Sequence, residues 1–255
     1  MSYPTALDIA TGASGWFSGN KFGRNSSVGT AFTPVSRGGV YQMPKVGGAR
    51  TLRVRAGNAA DVYGGAGAWS VTVVGLDESG YEITETLRCN GAAAGLSGTK
   101  KFVRVYRAYV AESGTYATTG VFSHVGEIIV EDTTSFAIWI SISATLMGRG
   151  QSQVSSFSVP LQFEIYILSA TLSVEATKSA TITLVKRDNI LQTSAPYSAM
   201  RVQEEFVGVT GFVPLDFPVP LGPFRPLTDV GFMARVSAQT GDVSVSFNYA
   251  ARRVA

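Results

Sequence analysis

The chain has 255 residues, 45% of them hydrophobic and only 15% charged, with a formal net charge of +3. That is enough apolar material for one large or two ordinary β domains, and the charged fraction lies well below the roughly 25% of an average soluble domain. So few charges predict that much of the surface is covered by partners or by copies of the chain itself, and the mild positive balance argues against a nucleic-acid binder.

Residues 1–35 are rich in Gly, Ser and Asn yet carry five aromatics, Tyr3, Trp16, Phe17, Phe22 and Phe32. A linker has no use for them, and the segment has little else with which to build a core. An extended N-terminal arm ordered by lying on a partner fits both facts, with Tyr3, Trp16, Phe17 and Phe22 as its anchors. From residue 50 a period-2 pattern takes over. Val71–Val74 and the alternating Tyr81, Ile83, Glu85 and Leu87 flank Asp77-Glu78-Ser79-Gly80, which reads as a β-hairpin turn. Lys101–Val110 and Gly126–Val130 are further strands, and Phe136, Ile138, Ile140, Ile142 and Leu146 form one apolar face. The polar run Gly148–Gln153 breaks the pattern and places a boundary there.

The remainder repeats the style. Leu161, Phe163, Ile165 and Ile167 alternate with polar neighbours, and Thr181–Val185 follows. Val230–Val236 and Val243–Tyr249 are the last two strands. Between Thr181–Val185 and Val230–Val236, five prolines within residues 214–226 forbid a helix or a central strand and leave an extended surface loop or an edge. No apolar stripe of period 3.6 is convincing. The expected fold is all-β: an arm over 1–35, then two β-sandwich or jelly-roll-like domains over 36–147 and 148–255.

Candidate chemistry is sparse. One cysteine, Cys89, excludes an intrachain disulfide and reads as a small half-buried hydrophobe. One histidine, His124, has no activated nucleophile or Gly-x-Ser-x-Gly elbow beside it, so it reads as structural. A zinc site would have to be built mainly from carboxylates, which is unusual. Asp77-Glu78 with Glu82, and Glu131-Asp132, are the acidic groupings to weigh for calcium, and turn chemistry explains the first better. Gly64-Gly65-Ala66-Gly67 lacks the Lys and Ser or Thr of a phosphate loop. Arg50, Arg53 and Arg55, with Lys100, Lys101, Arg104 and Arg107, split between strand faces rather than forming one basic stripe. The chain opens Met-Ser-Tyr-Pro without a basic and apolar leader, so no signal peptide is expected, and no apolar run reaches the length of a membrane helix. No enzyme activity, cofactor, metal or membrane partner is expected.

Certain segments carry a resemblance. Ala56–Asp61, Gly65–Asp77, Glu85–Gly91, Lys101–Val110 and Gly148–Gln153 leading to Phe157–Pro160 resemble, in order and content, a family of virion structural proteins of tailed, podovirus-like phages. The resemblance runs over roughly residues 50–250 and carries over no site residues. It implies a non-enzymatic virion protein; the aromatic-bearing arm, the low charge and the absence of a site then lead to the expectation of a capsid decoration (cement) protein on the head surface, assembled in the host cytoplasm. Its partners would be the major capsid protein and copies of itself, a trimer being preferred. The alternative is a tail-associated or head-fibre protein that binds carbohydrate through loop aromatics such as Trp69, Tyr116 or Tyr197.

Overall fold

The computed structural model describes residues 6–12, 15–37, 48–115, 123–144 and 150–254. The protein is all-β, with one short helix among the described residues, α1 (Ala6–Thr11). It divides into two compact units. Unit 1 comprises Met1–Gly39, Ser155–Ile190 and Pro196–Ala255, and unit 2 comprises Val40–Val154 with Leu191–Ala195.

Unit 1 holds β1 (Trp16–Val28), the short β2 (Thr33–Pro34), β10 (Ser156–Ser158), β11 (Phe163–Val174), β12 (Ala180–Arg187), β13 (Arg201–Val209), β14 (Gly211–Phe224), β15 (Asp229–Val236) and β16 (Gly241–Arg253). One sheet runs β1-β16-β11-β14 and the other β10-β15-β12-β13, with β2 also on β15. The antiparallel pairs nest: β1 with β16, β10 with β15, β11 with β14 and β12 with β13. They are the rungs of one long folded ribbon. Rolling that ribbon lays β11 beside β16 and β12 beside β15, as observed. This topology is an eight-stranded jelly roll. The inner faces meet through Phe232 on Phe247 and Phe157 on Tyr249, ring centroids 5.5 and 5.2 Å apart.

The ribbon's second strand is made of two pieces. Thr33 and Pro34 lie opposite Ala234 and Met233, and Ser156–Ser158 continue the same line opposite Gly231–Asp229. The pieces meet at Phe232. Val35 N–H donates to the Phe232 carbonyl at 3.0 Å, Phe232 N–H to Ser155 O at 3.3 Å, and Ser155 N–H to Val35 O at 3.2 Å. Unit 2 is therefore an insertion into one strand of the jelly roll. Gly23 of β1 sits against the splice, where a Cβ would collide with the Val35 carbonyl and the Ser155 amide.

Unit 2 holds β3 (Arg50–Ala56), β4 (Ala68–Leu76), β5 (Glu82–Arg88), β6 (Lys101–Phe102), β7 (Arg104–Ser113), β8 (Ile128–Asp132) and β9 (Ile138–Ile142). Its sheets run β6-β3-β8-β9 and β5-β4-β7. Leu52, Val54, Ile128, Val130 and Ile140 of the first close on Val71, Val73, Leu87 and Val105 of the second in one core. Lys101 to Val110, read as one strand, changes sheet at Val103, so that β6 pairs β3 and β7 pairs β4. Phe136, read on the apolar face of β9, instead lies in the preceding turn with φ 58° and is 56% exposed. Leu146 lies outside the described residues.

The arm expected over residues 1–35 needs correcting. Trp16–Val28 is an edge strand of the jelly roll, in register with β16 from Trp16↔Arg252 to Val28↔Gly241. The buried positions of β1 are Lys21, Gly23, Asn25 and Val28, and of these only the last carries an apolar side chain. That inward row hid the strand from a hydrophobic-alternation reading. Asn25 Nδ2 donates to Pro34 O, and Arg24 forms a forked ion pair with Asp242 of the adjacent strand end. The proline-rich stretch is β14, an edge strand, in line with expectation.

Candidate functional site

Of the four expected anchors, Tyr3 lies outside the described residues. Trp16 tilts against Tyr166 at 5.5 Å with the Arg252 guanidinium over its ring, and Phe17 meets Phe163 edge-on at 5.0 Å. Phe22, half-buried, lies opposite Ser246. Trp16 and Phe17 thus pack on their own sheet, and Phe17, 38% exposed, keeps the most free surface of the three described anchors.

Asp61 is fully buried and accepts from the backbone N–H groups of Ala68, Val125 and Gly126 at 2.7–2.9 Å. His124 is buried, with Nε2 2.7 Å from Ser143 O and Nδ1 3.2 Å from Ser123 Oγ. No acid orients its ring in the manner of a catalytic triad in these contacts. Asp77 accepts from Ser79 and Tyr81 N–H at 2.9 Å, which is hairpin-turn chemistry. Glu131 is buried between Arg53 and Arg55, at 2.8 and 3.3 Å.

Asp132 is buried at a turn. Burial alone raises its pKa, but the Ser135 hydroxyl, the Ser135 and Thr134 amides and the Trp139 indole N–H together hold it down to about 2. Glu131 and Asp132 are therefore occupied by protein donors, and no cluster of three or more His, Cys, Asp or Glu is placed to hold a metal among the described residues. The Cys89 thiol is pushed up to about 12, first by burial and then by the nearby Asp61 charge. It is no nucleophile at neutral pH.

Arg104, expected in a basic cluster, is buried and donates from Nη1 to the Val103 carbonyl at 2.8 Å. Arg53, Arg55 and Arg104 are thus committed within unit 2, whereas Lys100 and Lys101 are exposed. Trp69 donates to Gly65 O and tilts against Tyr63 at 5.4 Å, while the Arg88 guanidinium lies 4.4 Å over the Tyr63 ring. Tyr63, which the sequence reading did not single out, is 54% exposed. Tyr197 lies in the loop before β13, and Tyr116 lies outside the described residues.

The largest departure from a soluble surface is on unit 1. β13 and β14 are the terminal strands of the two sheets, at the same open side of the sandwich. Val202, Val207, Phe212 and Val219 on them are 59, 74, 70 and 80% exposed. β14 carries one charge, Asp216, in fourteen residues. It also leaves its neighbour: between Ile167↔Leu221 and Ser169↔Asp216, five residue steps on β14 (221 − 216) oppose two on β11 (169 − 167). Phe217–Pro220 fall outside the register with β11 there. Pro214, Pro218, Pro220 and Pro223 remove four N–H groups from this edge, which blunts it against strand addition. The sequence reading located the prolines but not the apolar surface, because exposure of both faces of a strand is invisible to a periodicity argument.

These features define a jelly roll carrying an inserted β-sandwich and an apolar open side. No family model matches the chain, and no curated protein matches it. Among solved structures, T=1 particles derived from infectious bursal virus are similar at 11% identity and a TM-score of 0.21, over 94% of this chain and 74% of that chain. The VP2 subviral particle of infectious bursal disease virus is similar at 11% identity and 0.20, over 94% and 77%. The insecticidal delta-endotoxin Cry8Ea1 from Bacillus thuringiensis is similar at 7% identity and 0.20, over 88% and 54%.

Proposed function

We propose that the chain is a non-enzymatic structural component of a virus particle, a capsid decoration protein that binds the major capsid protein lattice and stabilises the head. The observation that carries this reading is the pairing of a jelly roll with a large exposed apolar side. Jelly rolls serve viral capsids, but also lectins and cupins, so the fold alone selects no function. An apolar surface on a chain with 15% charged residues is what an assembly subunit presents before it is covered. The sequence resemblance to tailed-phage virion proteins points the same way. In this reading the free part of Phe17, on the outer strand of the other edge, is a lattice contact.

The test is placement in an intact particle. Electron microscopy of purified virions is expected to show the chain on the outer head surface in symmetry-related copies. Its presence at the tail or its absence from the particle would overturn the decoration role. A second reading, a tail or head-fibre protein that binds saccharide, is favoured by the exposed Tyr63 beside Trp69. Binding in a glycan screen that is lost in Tyr63→Ala would move the assignment there.

A further inference from the structure

We propose that Tyr63, Trp69 and Arg88 of unit 2 form the point at which the chain grips an acidic segment of a protein partner, with a partner carboxylate seated on the Arg88 guanidinium. The inference rests on the decoration reading above and gives it a contact and a charge.

The three side chains converge on the backbone of Cys89, which is buried. Cys89 N–H donates to Trp69 O at 2.9 Å, and Tyr63 N–H donates to Cys89 O at 3.4 Å. Arg88 is the preceding residue of β5, in register with Ser70 of β4. The Trp69 indole N–H donates to Gly65 O at 2.6 Å, and its ring lies 5.4 Å from that of Tyr63. The group is therefore held by sheet backbone rather than by a free loop tip, and little ordering cost is left for binding.

The charge at this point is unspent. Arg53 and Arg252 also lie over aromatic rings, but each is bound to a carboxylate, Glu131 and Glu164. Arg88 lies 4.4 Å over the Tyr63 ring and has no ion pair or side-chain hydrogen bond among the described residues. The acid in register with it, Glu112, is two strands away across Ser70, about 10 Å, and accepts from Ser70 Oγ. Stacking steadies the guanidinium plane and leaves N–H groups along its edge, the fork that takes a carboxylate through two parallel bonds. Arg88 is exposed, so a partner reaches that edge.

The residue types point to a protein. Trp, Tyr and Arg are the side chains enriched among the few that carry most of the binding energy of protein interfaces. Arg88 already covers one face of the Tyr63 ring, so the site offers N–H donors and a hydroxyl rather than a bare ring for a sugar. The matching group is an Asp or Glu side chain, with apolar surface beside it to lie against Tyr63 and Trp69. The net charge of +3 on the whole chain favours the same approach.

The test uses the full chain, titrated onto heads from which it has been removed and onto poly-glutamate as the acidic probe, at low and high salt. The variants are Arg88→Gln, Arg88→Lys and Tyr63→Ala, and Lys101→Gln is the control for general charge. All three positions are exposed, so thermal unfolding is expected to match wild type. Arg88→Gln and Tyr63→Ala are expected to weaken binding to both at least about tenfold. Arg88→Lys keeps the charge without the fork and weakens it less. The control leaves it unchanged, and wild-type binding falls as salt rises. Head binding that survives Arg88→Gln and Tyr63→Ala overturns the inference and leaves the decoration role standing. A chain that holds poly-glutamate through Arg88 but binds no heads sinks the decoration role alone. Binding to neither overturns both. A uronic polysaccharide that binds more tightly than poly-glutamate, and is lost in Arg88→Gln, overturns the protein partner in favour of an acidic sugar.

Discussion

Ser155 donates its backbone N–H to the carbonyl of Val35 at 3.2 Å, although 120 positions separate the two residues in the chain. Ser155 Oγ donates to the same carbonyl at 2.8 Å. The two residues flank Phe232 and complete a strand that the inserted unit interrupts. Strands β3 to β9, which lie between them in the chain, all belong to unit 2. An insertion of this kind costs the host fold little, because its ends are already adjacent.

The splice predicts a strict requirement for glycine at position 23. A Cβ there meets the backbone of both Val35 and Ser155, which belong to different pieces of the strand and have no flexible end to give way. Gly23→Ala is expected to lower the stability of the jelly roll by about 1–3 kcal/mol, as overpacking does, read as a fall in Tm. Gly29→Ala, with nothing near its Cβ position, is the control and is expected to leave Tm unchanged or slightly raised.

It also predicts that unit 1 folds alone. Residue 37 joined to residue 155 by a short Gly-Ser link, omitting the chain between, keeps all the nested pairs of the jelly roll. The shortened protein is expected to give a β-type circular dichroism spectrum and one cooperative unfolding transition. A spectrum of an unfolded chain would show that the inserted unit is needed to hold the splice together.

Much of this architecture was legible in the sequence. β4, β5, β11, β12, β15 and β16 announce themselves because each buries an alternating apolar row, and Asp77 to Gly80 carries its own turn chemistry. The prolines of β14 marked an edge. β1 was not legible, since its inward row is Lys21, Gly23 and Asn25. Nor was the insertion. Pairing between Thr33 and Ala234, or between Ser156 and Gly231, depends on registry across the whole chain, and short pieces such as β2 and β10 have no periodicity to read. Asp61, Asp132 and His124 are each held by nearby donors or acceptors.

Cys89 gives a chemical check on the core of unit 2. Its thiol is buried at 3% exposure, and burial with the neighbouring Asp61 charge pushes its pKa up to about 12. At pH 8 the folded protein therefore holds a neutral thiol, and thiolate is the reactive form. Alkylation by iodoacetamide is expected to be negligible in native buffer and complete in denaturant. Ready labelling of the native protein would show that the sandwich opens around β5.

Asp132 sets the acid stability of the same unit. Its folded pKa, about 2, lies below the ordinary 3.8. A carboxyl depressed in this way contributes stability that is present above its unfolded pKa and lost as pH falls through the folded one. The window here is from about pH 5 down to about pH 2, and the gap between the two values corresponds to about 2 kcal/mol. Asp132→Asn removes the charge. Its Oδ1 still accepts from the Thr134 and Ser135 amides, but its Nδ2 group then faces the Trp139 indole N–H, donor against donor. The variant is expected to lose about 2 kcal/mol at pH 7, as a buried hydrogen bond to charge does. Its denaturant midpoint is expected to vary less than that of wild type between pH 5 and pH 2. Parallel midpoints for the two proteins across that range would show that Asp132 is not the titrating group.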